Sequence, residues 1–271
     1  MKRRACSQRR WRQVGLSLLS MALAAHGLAN DAAVRPNERL SDWLLRQTPS
    51  EHNYFAGLSW RVPAARAAQA ELKQRLLAQL FTGEGLDVGE DVRYRLANWL
   101  RALAPTGRAP IRIADARWLQ AHPEHDPVLD RDHAVILPRR PRGLSVLMDG
   151  ATICRVAHRA ATEARAFLRS CRPDLLDDVD KLWLVQPDGK VQVATVAEWN
   201  AAEHDLPAPG AWIWAPSRHE RWPESFSLQL AHFLATQGPA LDEPAEPAAE
   251  EKLLAAIDAD VPRSRSPIAS V

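Results

Sequence analysis

Residues 99–113, WLRALAPTGRAPIRI, set the hardest limit on what this chain can fold into. A helical pattern runs into Pro105, the chain turns through Thr106, Gly107 and Arg108, and the alternation Ile111-Arg112-Ile113 predicts a strand. Proline fixes φ and removes a backbone donor, so Pro105 and Pro110 bound the turn on both sides. Arg108 is therefore expected at a rigid corner. There its five-donor fork either meets a carboxylate or phosphate or bonds the last carbonyls of a helix. The pattern alone leaves both open.

The helix entering this corner has a partner. Pro63 stands where a helix accepts its first residue, and Ala65, Ala68, Leu72, Leu76 and Leu80 then fall on one stripe. After Gly83, Gly85 and Gly89, a second helix over residues 90–103 places Val92, Leu96, Trp99, Leu100 and Leu103 on one side. Together they predict an antiparallel helical hairpin over about residues 63–104. The connecting TGEGLDVG has no lysine and follows no strand, so it reads as a turn and not a phosphate loop. Ahead of the hairpin, Leu40, Trp43, Leu44 and Leu45 suggest a short amphipathic helix, and residues 54–62, aromatic-rich and containing Gly57, read as a packed loop.

Beyond the corner, HPEHDPVLDRDH gathers His122, Glu124, His125, Asp126, Asp130, Asp132 and His133. Pro123 and Pro127 break any helix that would stack these histidines, and there is no Cys-rich or HExxH pattern. The stretch is read as a solvated polar loop, and neither a metal nor a cofactor is expected. Residues 133–137 predict a buried strand, and PRRPR at 138–142 a boundary.

The second half is a string of strand signals around one helix. Asp149-Gly150 marks a hairpin between RGLSVLM and ATICRVAH. Thr162 is expected to cap the helix EARAFLRSC. Pro187-Asp188-Gly189 is the tip of a second hairpin, and Trp212-Ile213-Trp214 is one more strand. Strand, strand, helix, strand, strand, strand is the order of a β-grasp, a mixed sheet with a helix across one face. Trp222-Pro223 then opens an amphipathic helix carrying Phe226, Leu230, Phe233 and Leu234.

Charge bears on compartment and partners. Six basic residues, Lys2 to Arg12, precede an apolar run at 14–28 and the small-residue exit Gly27-Leu28-Ala29, the pattern of a secretory signal peptide cleaved near Ala29. Cys6 lies upstream of the apolar core, the wrong place for a lipid-carrying cysteine. Of the 35 Lys+Arg, 29 then remain against 33 Asp+Glu, so the mature chain is mildly acidic and a nucleic-acid partner loses its electrostatic support. Cys154 and Cys171 remain as well. Each falls on the inward face of its element, so both can point into one strand–helix interface. An oxidising compartment permits a bridge between them, and two buried free thiols are the alternative.

These features together resemble the GfcC-type capsule and exopolysaccharide biosynthesis proteins. The motifs are Thr106-Gly107-Arg108-Ala109-Pro110, then Val196-Ala197-Glu198-Trp199-Asn200, then Pro207-Ala208-Pro209-Gly210-Ala211-Trp212-Ile213-Trp214, in order over roughly residues 40–237. The resemblance implies an α+β periplasmic protein of two β-grasp domains related to units of polysaccharide export channels. It also implies a hairpin inserted in the first domain, and an arginine at the base of that hairpin corresponding to Arg108. Residues 30–38 are too short and polar for the β-hairpin that usually opens such chains, which leaves the first β-grasp incomplete or completed by a partner.

The expected organisation is a signal peptide at 1–29, a β-grasp-like domain at 30–140, a second β-grasp at 141–218, an amphipathic helix at 219–238 and a disordered tail at 239–271. The expected function is a non-enzymatic accessory role in capsule or exopolysaccharide biosynthesis or export. The chain would bind glycan or export machinery through Arg108, Thr106 and Gly107, with Trp60, Trp99 and Trp118 offering faces to sugar rings. Outer-membrane association would run through the terminal helix, whose other option is to pack its apolar face on its own domain. The alternatives are a polysaccharide-modifying enzyme, which needs paired carboxylates or a His/Tyr/Arg constellation in one cleft, and a purely structural adaptor.

Overall fold

The computed structural model describes residues 34–47, 53–129, 134–196 and 206–239. The signal peptide and nearly all of the expected tail lie outside the described residues, as do Asp130, Asp132, His133 and the Ala197-Glu198-Trp199-Asn200 motif. The described chain is an α+β protein with two sheets and seven helices.

The smaller sheet has the order β2-β1-β3, with β1 at Ser59–Arg61, β2 at Arg108–Pro110 and β3 at Ala134–Ile136, all antiparallel. Two sequence expectations are corrected here. The segment read as a packed loop at 54–62 contains the central strand of this sheet, after a 3-10 turn at Phe55–Gly57. The strand expected at 111–113 lies three residues earlier, with Arg108 in it. Pro110 is tolerated because β2 is an edge strand, where a missing N–H breaks no ladder. One face of the sheet is filled by α1 (Leu40–Arg46) and α4 (Ala116–Ala121), whose Leu40, Trp43, Leu44 and Leu119 pack with Leu58, Val135 and Leu137. Asp115 caps α4 by accepting from the N–H groups of Arg117 and Trp118.

The larger sheet runs β5-β4-β8-β6-β7. Strands β4 (Gly143–Met148) and β5 (Thr152–Ala157) form one antiparallel hairpin, and β6 (Lys181–Val185) and β7 (Val191–Thr195) another. Between them β8 (Trp212–Trp214) is parallel to β4 and antiparallel to β6. The first hairpin turns through three residues, Asp149–Ala151, and not the two that Asp-Gly suggested. Thr162 does not cap α5 (Ala164–Cys171). Its hydroxyl bonds the Ala160 carbonyl, and Glu163 occupies the cap position without a side-chain bond. A short α6 (Leu175–Asp178) follows.

Alternation sends the two faces of this sheet to different cores. Leu144, Val146, Leu182, Leu184 and Ile213 pack under Phe167 and Leu168 of α5. Leu147, Trp183, Val185 and Trp214 pack against α7 (Glu224–Ala235) and the hairpin of α2 (Pro63–Thr82) and α3 (Glu90–Ala102). The hairpin thus stands as the sequence predicted, and α7 is buried between it and the sheet. The α2 stripe is apolar only from Leu72 onward. Ala68 is exposed, and the buried position in the second turn belongs to Gln69.

Candidate functional site

The corner at 106–108 is built by backbone geometry. Gly107 has φ +73°, and a Cβ there would meet the Val62 carbonyl at 3.0 Å. That approach lets the Val62 N–H donate to the Gly107 carbonyl at 2.8 Å, tying the corner to the start of α2. Gln69 completes the tie: its Oε1 accepts the Gly107 N–H at 2.7 Å and its Nε2 donates to the Arg108 carbonyl at 2.9 Å. Thr106 accepts the Arg108 N–H and donates its hydroxyl to the Thr236 carbonyl at 2.6 Å, just past α7.

Arg108 itself is 7% exposed. Its guanidinium donates to the carbonyls of Ala235 at 2.7 Å, Pro187 at 2.5 Å and Gly57 at 3.4 Å. These belong to the end of α7, the tip of the β6–β7 hairpin and the 3-10 turn before β1. Of the two sequence readings, a helix carbonyl is indeed bonded, but on α7 and not on the helix before the corner. Burial pushes the guanidinium down to about 10, against the opposing pull of the Asp188 carboxylate. The hairpin tip also closes on this spot through Gly189, where φ is +81° and a Cβ would lie 2.5 Å from the Pro110 ring.

Other buried or half-buried polar groups likewise join segments. Asp126 accepts the Ser41 N–H and hydroxyl. Asp149 accepts the Ser217 N–H at 2.9 Å and the Trp222 indole N–H at 2.8 Å, while burial pushes its carboxyl up. Tyr54 donates to the Pro209 carbonyl, and burial pushes its phenol up to about 12.

The expected site residues separate. Thr106, Gly107 and Arg108 stay together. Trp60 and Trp118 pack against the smaller core, and Trp99 stands edge-on to Trp212 at 6.4 Å in the larger one. His122 and His125 stack on Trp118 at 4.1 and 5.3 Å, and among the described residues no His, Cys, Asp and Glu side chains gather as metal ligands would. Cys154 and Cys171 are bonded, joining edge strand β5 to α5. Sequence reasoning missed Gln69, Pro187 and Ala235. Gln69 left one signal, a polar residue one turn ahead of the apolar run that begins at Leu72; the two carbonyl acceptors left none, since every residue has one.

Residues 153–237 match the family model described as capsule biosynthesis GfcC C-terminal. The matched span takes in β5 to α7 and is similar to the C-terminal part of GfcC-type capsule biosynthesis proteins; β1 to β4 and the helical hairpin lie outside it. Among the described residues no helix is long and apolar enough to cross a membrane.

Proposed function

From the GfcC-type relationship over residues 153–237, we propose a non-enzymatic, periplasmic accessory protein of capsule or exopolysaccharide biosynthesis or export, which acts by binding glycan or export machinery. The observation that carries this reading is the family match itself. Three ionisable groups that could otherwise serve a reaction, Arg108, Asp126 and Asp149, each bond another segment of the same chain, which fits the non-enzymatic part of this reading. Under this reading residues 141–218 are a β-grasp. The order β5-β4-β8-β6-β7, with its parallel central pair and α5 across one face, supports that assignment.

An adaptor role is the second reading, favoured by Phe81 and Tyr94. These two rings, 5.9 Å apart, are exposed on the outer side of the hairpin, with Arg101 over Phe81. The deciding experiment removes the gene from its host and measures surface polysaccharide, then incubates purified protein with that polysaccharide. The reading expects reduced surface polysaccharide, restored by complementation, and unchanged glycan chain length in vitro. Shortened chains would mean an enzyme.

A further inference from the structure

The positive charge at the corner extends beyond Arg108. Arg61 lies directly opposite Arg108 across the β1–β2 ladder. Like charges so placed destabilise an antiparallel pair. Arg66, in the first turns of α2, is drawn to the same place: the position of a Gly107 Cβ is 3.5 Å from both Arg61 Cγ and Arg66 Cβ. Arg61 and Arg66 are exposed. Arg66 spends one donor on the Pro105 carbonyl at 3.2 Å, and among the described residues no carboxylate bonds Arg61, Arg66 or Arg108. The helix that begins here adds to the field, with no acid in its first turn and no side-chain cap on Val62.

Three arginines from three elements thus crowd one glycine, and the one carboxylate that acts on them, Asp188, bonds none of the three and pulls only on the buried Arg108. Such a local conflict persists where something outside the chain resolves it. Arg108 is buried and already holds three carbonyls, so the exposed arginines are the ones open to a ligand. We propose that the exposed pair Arg61 and Arg66, beside Gly107, is the contact site for an anionic glycan, with carboxylate or other acidic substituents of the polymer seated on the two guanidinium groups. The proposal rests on the glycan-binding reading above and narrows it to acidic polymers and to this face. The planar fork of arginine suits a carboxylate better than a lysine would.

The test is calorimetric titration of the purified protein with oligogalacturonate, with neutral dextran oligomers, and with phosphatidylglycerol vesicles. Arg61→Gln/Arg66→Gln is compared with a charge-matched control, Arg75→Gln/Arg117→Gln, on exposed positions elsewhere. The expected result is saturable heat with oligogalacturonate, weakened about tenfold or more in the first double variant at a melting temperature no lower than that of the unaltered protein, and nearly unchanged in the control. Added salt should weaken it as well. Equal weakening in both variants would overturn the placement. Dextran bound as well as oligogalacturonate would overturn the acidic class while leaving glycan binding intact, and stronger binding to vesicles would assign the arginines to a lipid surface. No heat with oligogalacturonate would overturn the inference alone, since the wider reading is judged by surface polysaccharide in the deletion strain.

Discussion

Removing the Arg108 side chain leaves three carbonyls of three segments without their donor. Arg108→Ala should therefore destabilise the protein by about 2–4 kcal/mol and lower its melting temperature by roughly 5–10 °C, as seen in thermal unfolding. Arg108→Lys should recover little, because a point charge on a flexible stem cannot serve three divergent acceptors. Gly107→Ala places a Cβ against the Val62 carbonyl at a positive φ, and a loss of about 2 kcal/mol is expected in chemical denaturation. Glu38 provides a pH test. The Arg46 side chain, bonded at 2.6 and 2.7 Å, and the Arg35 N–H hold its carboxyl below the usual 4.5. A depressed folded value means that this stabilisation is present above about pH 4.5 and is lost as pH falls through the lower folded value. Glu38→Gln should accordingly flatten the acid limb of a plot of melting temperature against pH below about pH 4.5.

Elements differed in how well local sequence announced them. Both hairpins of the larger sheet were legible because turn residues and alternation lie within a few positions of each other, and the helical hairpin because its stripe repeats over several turns. Strand β1 was not, since its three residues draw their hydrogen bonds from partners at 108–110 and 134–136 and carry no alternation long enough to see. The same holds for the three-residue β2, whose proline argued against a strand until its edge position was known. At the candidate site, Thr106, Gly107 and Arg108 were legible from two prolines and a glycine, but the orientation of Arg108 depended on segments far along the chain. The disulfide belongs to this scale. It joins positions 17 apart in sequence, one on β5 and one on α5, and the Cys154→Ala/Cys171→Ala variant should lose about 3 kcal/mol in urea unfolding with little change in slope.

For the whole molecule, the decisive element is α7, whose Phe226, Leu230, Phe233 and Leu234 fill the layer between the larger sheet and the helical hairpin. Leu230→Ala should cost about 2–5 kcal/mol, because the cavity opens between two rigid walls. The same burial predicts a single cooperative transition, with far-ultraviolet circular dichroism and tryptophan fluorescence coinciding. A helix so placed leaves the fold only by opening both surfaces at once, which weighs against a membrane role for α7 while the domain stays folded.

The reach of Arg108 carries a consequence for how the chain matures. Its acceptors lie 51 residues before it and 79 and 127 residues after it. A polypeptide made from its N-terminus presents this cation long before two of its acceptors exist. The last bond becomes possible only when the chain has been made through Ala235, so the corner registers completion: any product that stops short carries a guanidinium whose seat is missing. Such fragments are expected to be cut quickly by proteases, and the full-length chain to gain its resistance in one late step.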